Sequence, residues 1–477
     1  MSAATQYELF IDGAWRRGGN GEIPVVNPAT EQVFASVASA SIEDLDDVLA
    51  AAERSRGAWA ALPACERGAL LIAAARILAS RVDEAARSLS GEQGKTLAEA
   101  KGEYRRALEM LEWNGIHAEQ LCASLPMGAG RTLVPEPLGV IAAFTPWNYP
   151  AVLNARKVGA ALVAGCPVIL KGAEETPSAS VFLVQALQDA GIPAGVVNLV
   201  FGVPAVISEH LLRSPVIKVL SFTGSTAVGK HLARLAADNL QRCVLELGGH
   251  CPVIVCEDAD LEAAAAAISE YKFECAGQSC NAPSRVLVAK PVYEQFVSKL
   301  VDVAKSIKVG APDAPDTQMG PLANGRRIDA LKRLTEDAVA KGANIETGGR
   351  RLDQAGFYWP PTILTGVRQD SGVLREEPFG PILTVAPFES LDDAIAEAND
   401  TEYGLASYCF TASEETKRKL AGSLAAGAVS INFLRGVAAD APHSGVKQSG
   451  YGYEGGEQGV RSFQNLKLIN GLDALDR

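Results

Sequence analysis

Apolar positions along this chain fall into two textures. Between residues 41 and 122 they recur at three and four, the spacing of one helix face, and predict helix. Ser41 followed at three by Asp44 has the form of a capping box at the start of that stretch. From about residue 138 short apolar runs alternate with amphipathic segments. The runs are LGVIAAF, PVILK, VVNLVFG, VIKVLSFTG and RCVLEL. Helices are predicted between them, through Ala160, from Ser178 to Asp189 with Gly191 closing it, near 205–213, and from Thr226. Continuous apolar strands alternating with helices predict an α/β fold, a parallel sheet with helices on its faces. Such sheets bind ligands beyond the carboxyl ends of their strands. A second alternating block begins near 252 with PVIVCED, a helix over 260–272, SRVLVAK and a helix over 292–307. It continues through PILTVAPF and GAVSIN.

A chain of 477 residues exceeds one ordinary core and implies two to three domains. Its net charge of -12 argues against nucleic acid or an anionic membrane as the main partner. The opening MSAATQYELF lacks the basic region and apolar run of a secretory leader. No stretch reaches the roughly 18 apolar residues of a spanning helix. The nine cysteines are scattered without a CxxC pair, against a disulfide framework or zinc knuckle. The five histidines, His117, His210, His231, His250 and His443, show no metal-ligand spacing. A reduced, cytoplasmic, metal-free protein is the expectation.

Candidate chemistry gathers at the predicted strand ends. No GxGxxG is present; the strand VIKVLSF runs instead into Thr223-Gly224-Ser225-Thr226-Ala227-Val228-Gly229. A glycine turn entering a helix offers free backbone N–H groups and a positive dipole end to a diphosphate, with Ser225 as an added donor. A plain turn with a serine cap is the bland alternative. Lys171 and Glu174 follow PVILK, where a lysine and a carboxylate can hold both ribose hydroxyls and the carboxylate repels a 2′-phosphate. Cys280 follows a helix end and Gly277, which allows a turn that presents the thiol. Glu246 ends RCVLEL before Gly248-Gly249 and can serve as a base. Asn148, between a strand and Pro150, can donate to an oxyanion or cap a helix.

Taken together, Thr145–Pro150, Lys171–Glu174, Gly224–Gly229, Glu246–Gly249, Gly277–Cys280, Glu377–Pro381 and Lys447–Gly456 resemble the NAD(P)-dependent aldehyde dehydrogenase superfamily, collinearly from about residue 7 to 470. The resemblance implies an α/β fold with a Rossmann-type cofactor domain (1–120 and 137–248), an α/β catalytic domain (249–448) and a small β oligomerisation element (121–136 and 460–477). It implies homodimers or homotetramers and NAD in preference to NADP. Cys280 would attack the aldehyde, with Asn148 and the Cys280 N–H holding the oxyanion. Glu246 would activate water, with Lys157 and Glu454 as proton relays. Glu377 would hold the nicotinamide ribose with Phe379 nearby, Trp147 and Lys171 would line the adenosine half, and Gly224, Ser225, Gly229 and Leu247 would complete the cofactor site.

Within the family, Arg156–Leu162 and Val446–Gly450 look most like succinate or 2-oxoglutarate semialdehyde dehydrogenases. Arg156 matches an arginine that binds the distal carboxylate there. A second arginine is Glu274 here, and an expected serine falls at Val437 or Ala438, with Arg435 as a candidate substitute. Glu274 is read either as a cation anchor for an aminoaldehyde or as an ion-pair partner of Arg156. Pro442-His443-Ser444-Gly445 replaces a usual Pro-Phe-Gly-Gly and points to a polar ring in the substrate funnel. Cys275 replaces an asparagine, either as a passive thiol or as a reversible disulfide partner of Cys280. The expected substrate is a small semialdehyde such as succinate semialdehyde. Amino-, hydroxy- or aromatic aldehydes are the alternative, and an inactive binding protein on this fold is the remote one.

Overall fold

The computed structural model describes residues 5–434 and 438–471. Its first large sheet has eight strands in the order Gly450–Tyr451, Arg242–Glu246, Ile217–Thr223, Val140–Phe144, Val168–Lys171, Val197–Val200, Leu9–Ile11, Ala14–Arg16. The middle five run parallel, and antiparallel strands close both edges. Val140–Phe144, Val168–Lys171 and Val197–Val200 are buried at every position. Helices cover both faces, which is why these strands read as continuous apolar runs.

The spatial order turns around Val140–Phe144. The next two parallel strands of the chain lie to one side of it and the two after them to the other. That reversal opens a crevice beyond the carboxyl ends. Phe144 leads straight into it through Thr145–Pro150. The register aligns the neighbouring ends, Phe144 with Lys171 and Thr223 with Glu246.

The predicted helical stretch consists of five helices: Ile42–Ala61, Ala64–Ala79, Val82–Gln93, Leu97–Ile116 and Ala118–Cys122. Ser41 and Asp44 form the expected capping box, and Thr96 with Glu99 forms a second. Pro63 and left-handed Gly94 mark two of the breaks. The helix Pro150–Ala164 lies between Leu97–Ile116 and the sheet, with all but one of its residues buried.

The second large sheet runs Asn344–Thr347, Thr362–Thr365, Ile382–Phe388, Pro283–Ala289, Cys251–Val255, Ala406–Phe410, Ala428–Ile431, parallel except at its first strand. Residues 247–250 join the sheets, since Glu246 ends a strand of one and Cys251 begins a strand of the other. A small antiparallel sheet pairs Leu125–Gly128 and Arg131–Pro137 with Gln464–Asn470. Among the described residues no helix is long and apolar enough to cross a membrane, and no group of His, Cys, Asp and Glu side chains could hold a metal.

Candidate active site

A cleft of about 1940 Å³ opens where the two large sheets meet, and Cys280 lies on its wall. The helix Leu261–Phe273 gives way to a tight turn in which Cys275, Ala276 and Gly277 take φ of 53°, 51° and 72°. Left-handed conformations cost the two residues with a Cβ about 1–2 kcal/mol each. The turn is held by its own bonds. Gln278 donates from its backbone and its amide to Cys275 O at 3.1 and 2.9 Å, and accepts from Ala323 N at 3.0 Å. Gly249 passes so close behind that a Cβ there would meet Cys280 O at 2.1 Å, which accounts for the glycine. Burial raises the Cys280 thiol above the usual range, the carboxylates of Glu377 and Glu246 push the same way, and Arg156 opposes them.

Asn148 is buried beside this turn, and its Nδ2 donates one hydrogen to Gln278 O at 2.9 Å. The amide has a second hydrogen. Asn148 is not the helix cap: Tyr149 is, without a side-chain cap bond. Two residues that sequence reasoning did not mark hold the segment. Lys95 Nζ donates to Asn148 O at 2.7 Å and to Glu103, and Glu103 accepts from Ala151 N at 2.7 Å. The Thr96–Glu99 capping box, which announces a helix start beside Lys95, was the available signal.

Glu246 sits at its strand end, 3% exposed, and neither carboxylate oxygen has a hydrogen-bond partner. Burial raises its pKa well above the carboxylate range, Glu454 adds to the rise, and Arg156 and Lys157 counter it. Lys157 Nζ bonds Glu454 and, at 3.1 Å, Ser221 Oγ. Arg156 Nη1 lies 3.9 Å from Glu454 Oε2, and His443 Nε2 lies 3.4 Å from Glu246 Oε2. Glu274 does not pair with Arg156. It pairs with Arg106 at 3.2 Å, because the end of the helix Leu261–Phe273 faces the helix Leu97–Ile116 while Arg156 is turned toward Glu454. The pair is partly exposed, and Glu274 lines the cleft beside Arg106. Cys275 and Cys280 are both free thiols, and Cys275 Sγ accepts from Gln93 Nε2 at 3.1 Å and faces Asn148 O. Arg435 and Val437 lie outside the described residues.

The crevice end carries the remaining predicted residues. Lys171 and Glu174 form a largely buried pair at 2.6 Å, and Glu174 also accepts from Gly202 N at 3.0 Å. Ser225 caps the helix Thr226–Ala237, its Oγ accepting from Val228 N at 3.4 Å. That leaves the amides of Thr226 and Ala227 at the helix end, beside Gly224. Thr223 Oγ1 is buried on the cleft wall without a partner. Gly229 lies against Leu247. Glu377 accepts from Gly249 N at 3.1 Å, and burial raises its pKa to about 7 against that N–H and Arg327. Trp147 meets Phe379 edge-on at 5.5 Å, two residues beyond Thr145, whose N–H donates to Lys171 O at 3.3 Å. An orphaned hydroxyl, a capped helix end and two carboxylates fixed on either side fit a dinucleotide.

The aldehyde dehydrogenase family model matches residues 15–469. A 4-(hydroxymethyl)benzenesulfonate dehydrogenase of Comamonas testosteroni is 41% identical over 469 residues, covering 97% of this chain and 98% of that one. The succinate-semialdehyde dehydrogenase of Escherichia coli (strain K12), named for NADP(+), is 36% identical and covers 97% of each chain. An aldehyde dehydrogenase of Bacillus cereus, solved as an NAD+ complex, has a TM-score of 0.94 at 34% identity, covering 97% of this chain and 96% of its own. With a matching fold and this much of each chain covered, the protein belongs to the aldehyde dehydrogenase family and is an enzyme that oxidises aldehydes.

Proposed function

We propose that the chain oxidises an aldehyde to its carboxylic acid with NAD, by covalent attachment of the substrate to Cys280. The carrying observation is the meeting in one cleft of Cys280 on its left-handed turn, the spare Asn148 N–H and the unbonded Glu246 carboxylate. Glu246, made more basic by burial and by Glu454, accepts the thiol proton, and Arg156 favours the thiolate that forms a bond to the carbonyl carbon. Asn148 and the Cys280 N–H stabilise the charge that develops on the oxygen. When bound, NAD supplies the oxidation by accepting a hydride from the substrate carbon. Lys171 and Glu174 would hold its adenosine ribose, residues 223–227 its diphosphate, and Glu377 the other ribose with Phe379 and Trp147 beside it. Glu246 then takes a proton from water attacking the thioester, the carbon–sulfur bond breaks, and Lys157 and Glu454 carry the proton onward.

Glu174, fixed between Lys171 and Gly202 N, favours NAD because a carboxylate there repels a 2′-phosphate. The substrate we infer is a small semialdehyde: the buried Arg156 lines the cleft with Nε unpartnered and the Glu454 carboxylate 3.9 Å from Nη1. A second reading, an aromatic aldehyde with an anionic group, is favoured by Trp147, Tyr149, Phe273 and Phe433 on the same walls. The exposed Leu125, Met127, Leu466 and Leu468 of the small sheet support a homodimer or homotetramer.

The test is a panel of succinate semialdehyde, an aminoaldehyde, a hydroxyaldehyde and 4-formylbenzenesulfonate, each with NAD and with NADP. The highest kcat/KM is expected for succinate semialdehyde with NAD, and Cys280→Ala should form no product. Failure of every aldehyde to yield reduced cofactor would overturn the reading.

A further inference from the structure

The segment Pro442-His443-Ser444-Gly445 brings an imidazole against the base. His443 and Glu454 form an isolated antiparallel bridge, His443 N donating to Glu454 O at 2.6 Å and Glu454 N to His443 O at 2.9 Å. The bridge sets two side chains at once: Glu454 reaches Lys157, and His443 Nε2 lies 3.4 Å from Glu246 Oε2. Both members of that contact are under 10% exposed, at 7% and 4%. Glu246 has no hydrogen bond to either oxygen, and His443 Nε2 is the one Lys, Arg or His nitrogen among the described residues within 4.0 Å of its carboxylate. The charged and titratable groups around the ring and its partner are Arg156 and Lys157 on their helix, Glu454 across the bridge and Cys280 in the cleft. Burial, aided by Arg156, lowers the imidazole to about 3, so the ring is neutral and carries one N–H.

We propose that His443 is a positioning residue for Glu246, its Nε2–H holding the ionised carboxylate toward the Cys280 thioester during hydrolysis. The inference rests on the reading of Glu246 as the base. In the step it serves, the water oxygen bonds to the acyl carbon and a water proton passes to Glu246. The carbon–sulfur bond breaks with its electron pair remaining on Cys280, and nothing is oxidised. A phenylalanine at this position fills similar space and offers no donor.

The experiment acylates Cys280 with p-nitrophenyl acetate, which needs no cofactor, and follows the nitrophenolate burst and the steady rate in the wild type, His443→Phe, His443→Gln and Glu246→Gln. The burst amplitude counts folded, acylated sites. His443→Phe should keep the burst amplitude and slow hydrolysis about tenfold to a hundredfold, the range for losing a hydrogen bond to a charged group. Its acidic pH limb should move to higher pH, because a lost donor favours the protonated carboxyl. His443→Gln, whose amide N–H reaches about as far as Nε2, should restore both. If His443→Phe gives no burst, His443→Leu repeats the test. A donor-free variant that hydrolyses the acyl-enzyme at the wild-type rate, with Glu246→Gln slow, overturns the inference alone. Equal slowing in the Gln and Phe variants also overturns it, since shape would then be the cause. A Glu246→Gln enzyme that hydrolyses normally removes the underlying reading as well.

Discussion

Two lysine–glutamate pairs are buried against the helix Pro150–Ala164, and they are finished differently. At its N-terminus, Lys95 bonds Glu103 and Asn148 O, and Glu103 accepts from Ala151 N at 2.7 Å and Val152 N at 3.4 Å. Both side chains are fully buried, both carboxylate oxygens are used, and the negative charge sits at the positive end of the helix. Two turns on, Lys157 bonds Glu454 and Ser221, but Glu454 Oε2 faces Arg156 only at 3.9 Å, Glu246 Oε2 faces His443 only at 3.4 Å, and no oxygen of Glu246 is hydrogen-bonded. A satisfied buried network rigidifies what it touches. Unused bonding capacity, by contrast, is room for a proton or a water. The same two residue types therefore fix the Asn148 segment at one end of the helix and leave Glu246, the proposed base, without a hydrogen bond beside its middle.

The largest expected effect is at the open end. Glu246→Gln should lower kcat by about 10²–10⁴-fold, the usual weight of a positioned base. The sign of the pH dependence follows from burial and Glu454 raising the Glu246 pKa. As the proposed base, Glu246 would work ionised, so kcat should fall as pH drops through that raised value, and the acidic limb should lie above the ordinary carboxylate range. Glutamine does not titrate, so this limb should vanish from the residual rate. Glu454→Gln removes a charge that raises the pKa and should move the limb to lower pH. A limb that stays in place in both variants would assign the titration to another group.

The closed end should answer in stability. Lys95→Met leaves Glu103 as an uncompensated buried charge and should cost about 3–5 kcal/mol, read as a lower urea midpoint. Adding Glu103→Gln removes that charge and should recover most of the loss. The matching double change at Lys157 and Glu454 should recover stability without recovering turnover. Full turnover there would erase the distinction between the two pairs.

The closed pair is also where the sequence was hardest to read. Glu246, Asn148 and Cys280 each end a strand or follow a turn rich in glycine or proline, so local pattern exposes them. Lys95 and Asn148 are 53 residues apart, and Arg106 and Glu274 are 168 apart. A lysine or arginine in a helical stretch reads as solvated, because periodicity marks the apolar face and says nothing about which charge is buried with a distant partner. The central strands were legible for the opposite reason: burial on both faces leaves a continuous apolar run. The N-terminal strands Glu22–Asn27 and Gln32–Ala38 mix exposed and buried positions without a clean alternation, and nothing in their pattern announced a sheet.

The smallest effect belongs to Cys275, which lies inside the closed region five residues from Cys280. Burial raises its thiol to about 12 despite the attraction of Lys95. Burial raises both thiols, so access separates them: Cys280 lines the open cleft, whereas Cys275 is buried away from any oxidant. Its sulfur faces Gln93 and Asn148 O, within the same packing that holds the oxyanion segment. Cys275→Ala removes one weak acceptor and one sulfur atom, and should cost about 1 kcal/mol while leaving turnover within about twofold. Under mild peroxide the wild type should lose activity through Cys280, and peptide mass analysis should show no Cys275–Cys280 cross-link. A cross-link would require the left-handed turn at 275–277 to open and swing Cys275 away from Gln93. The pocket around Lys95 would then be no more rigid than the one around Glu246, and the contrast between the two ends of the helix would fail.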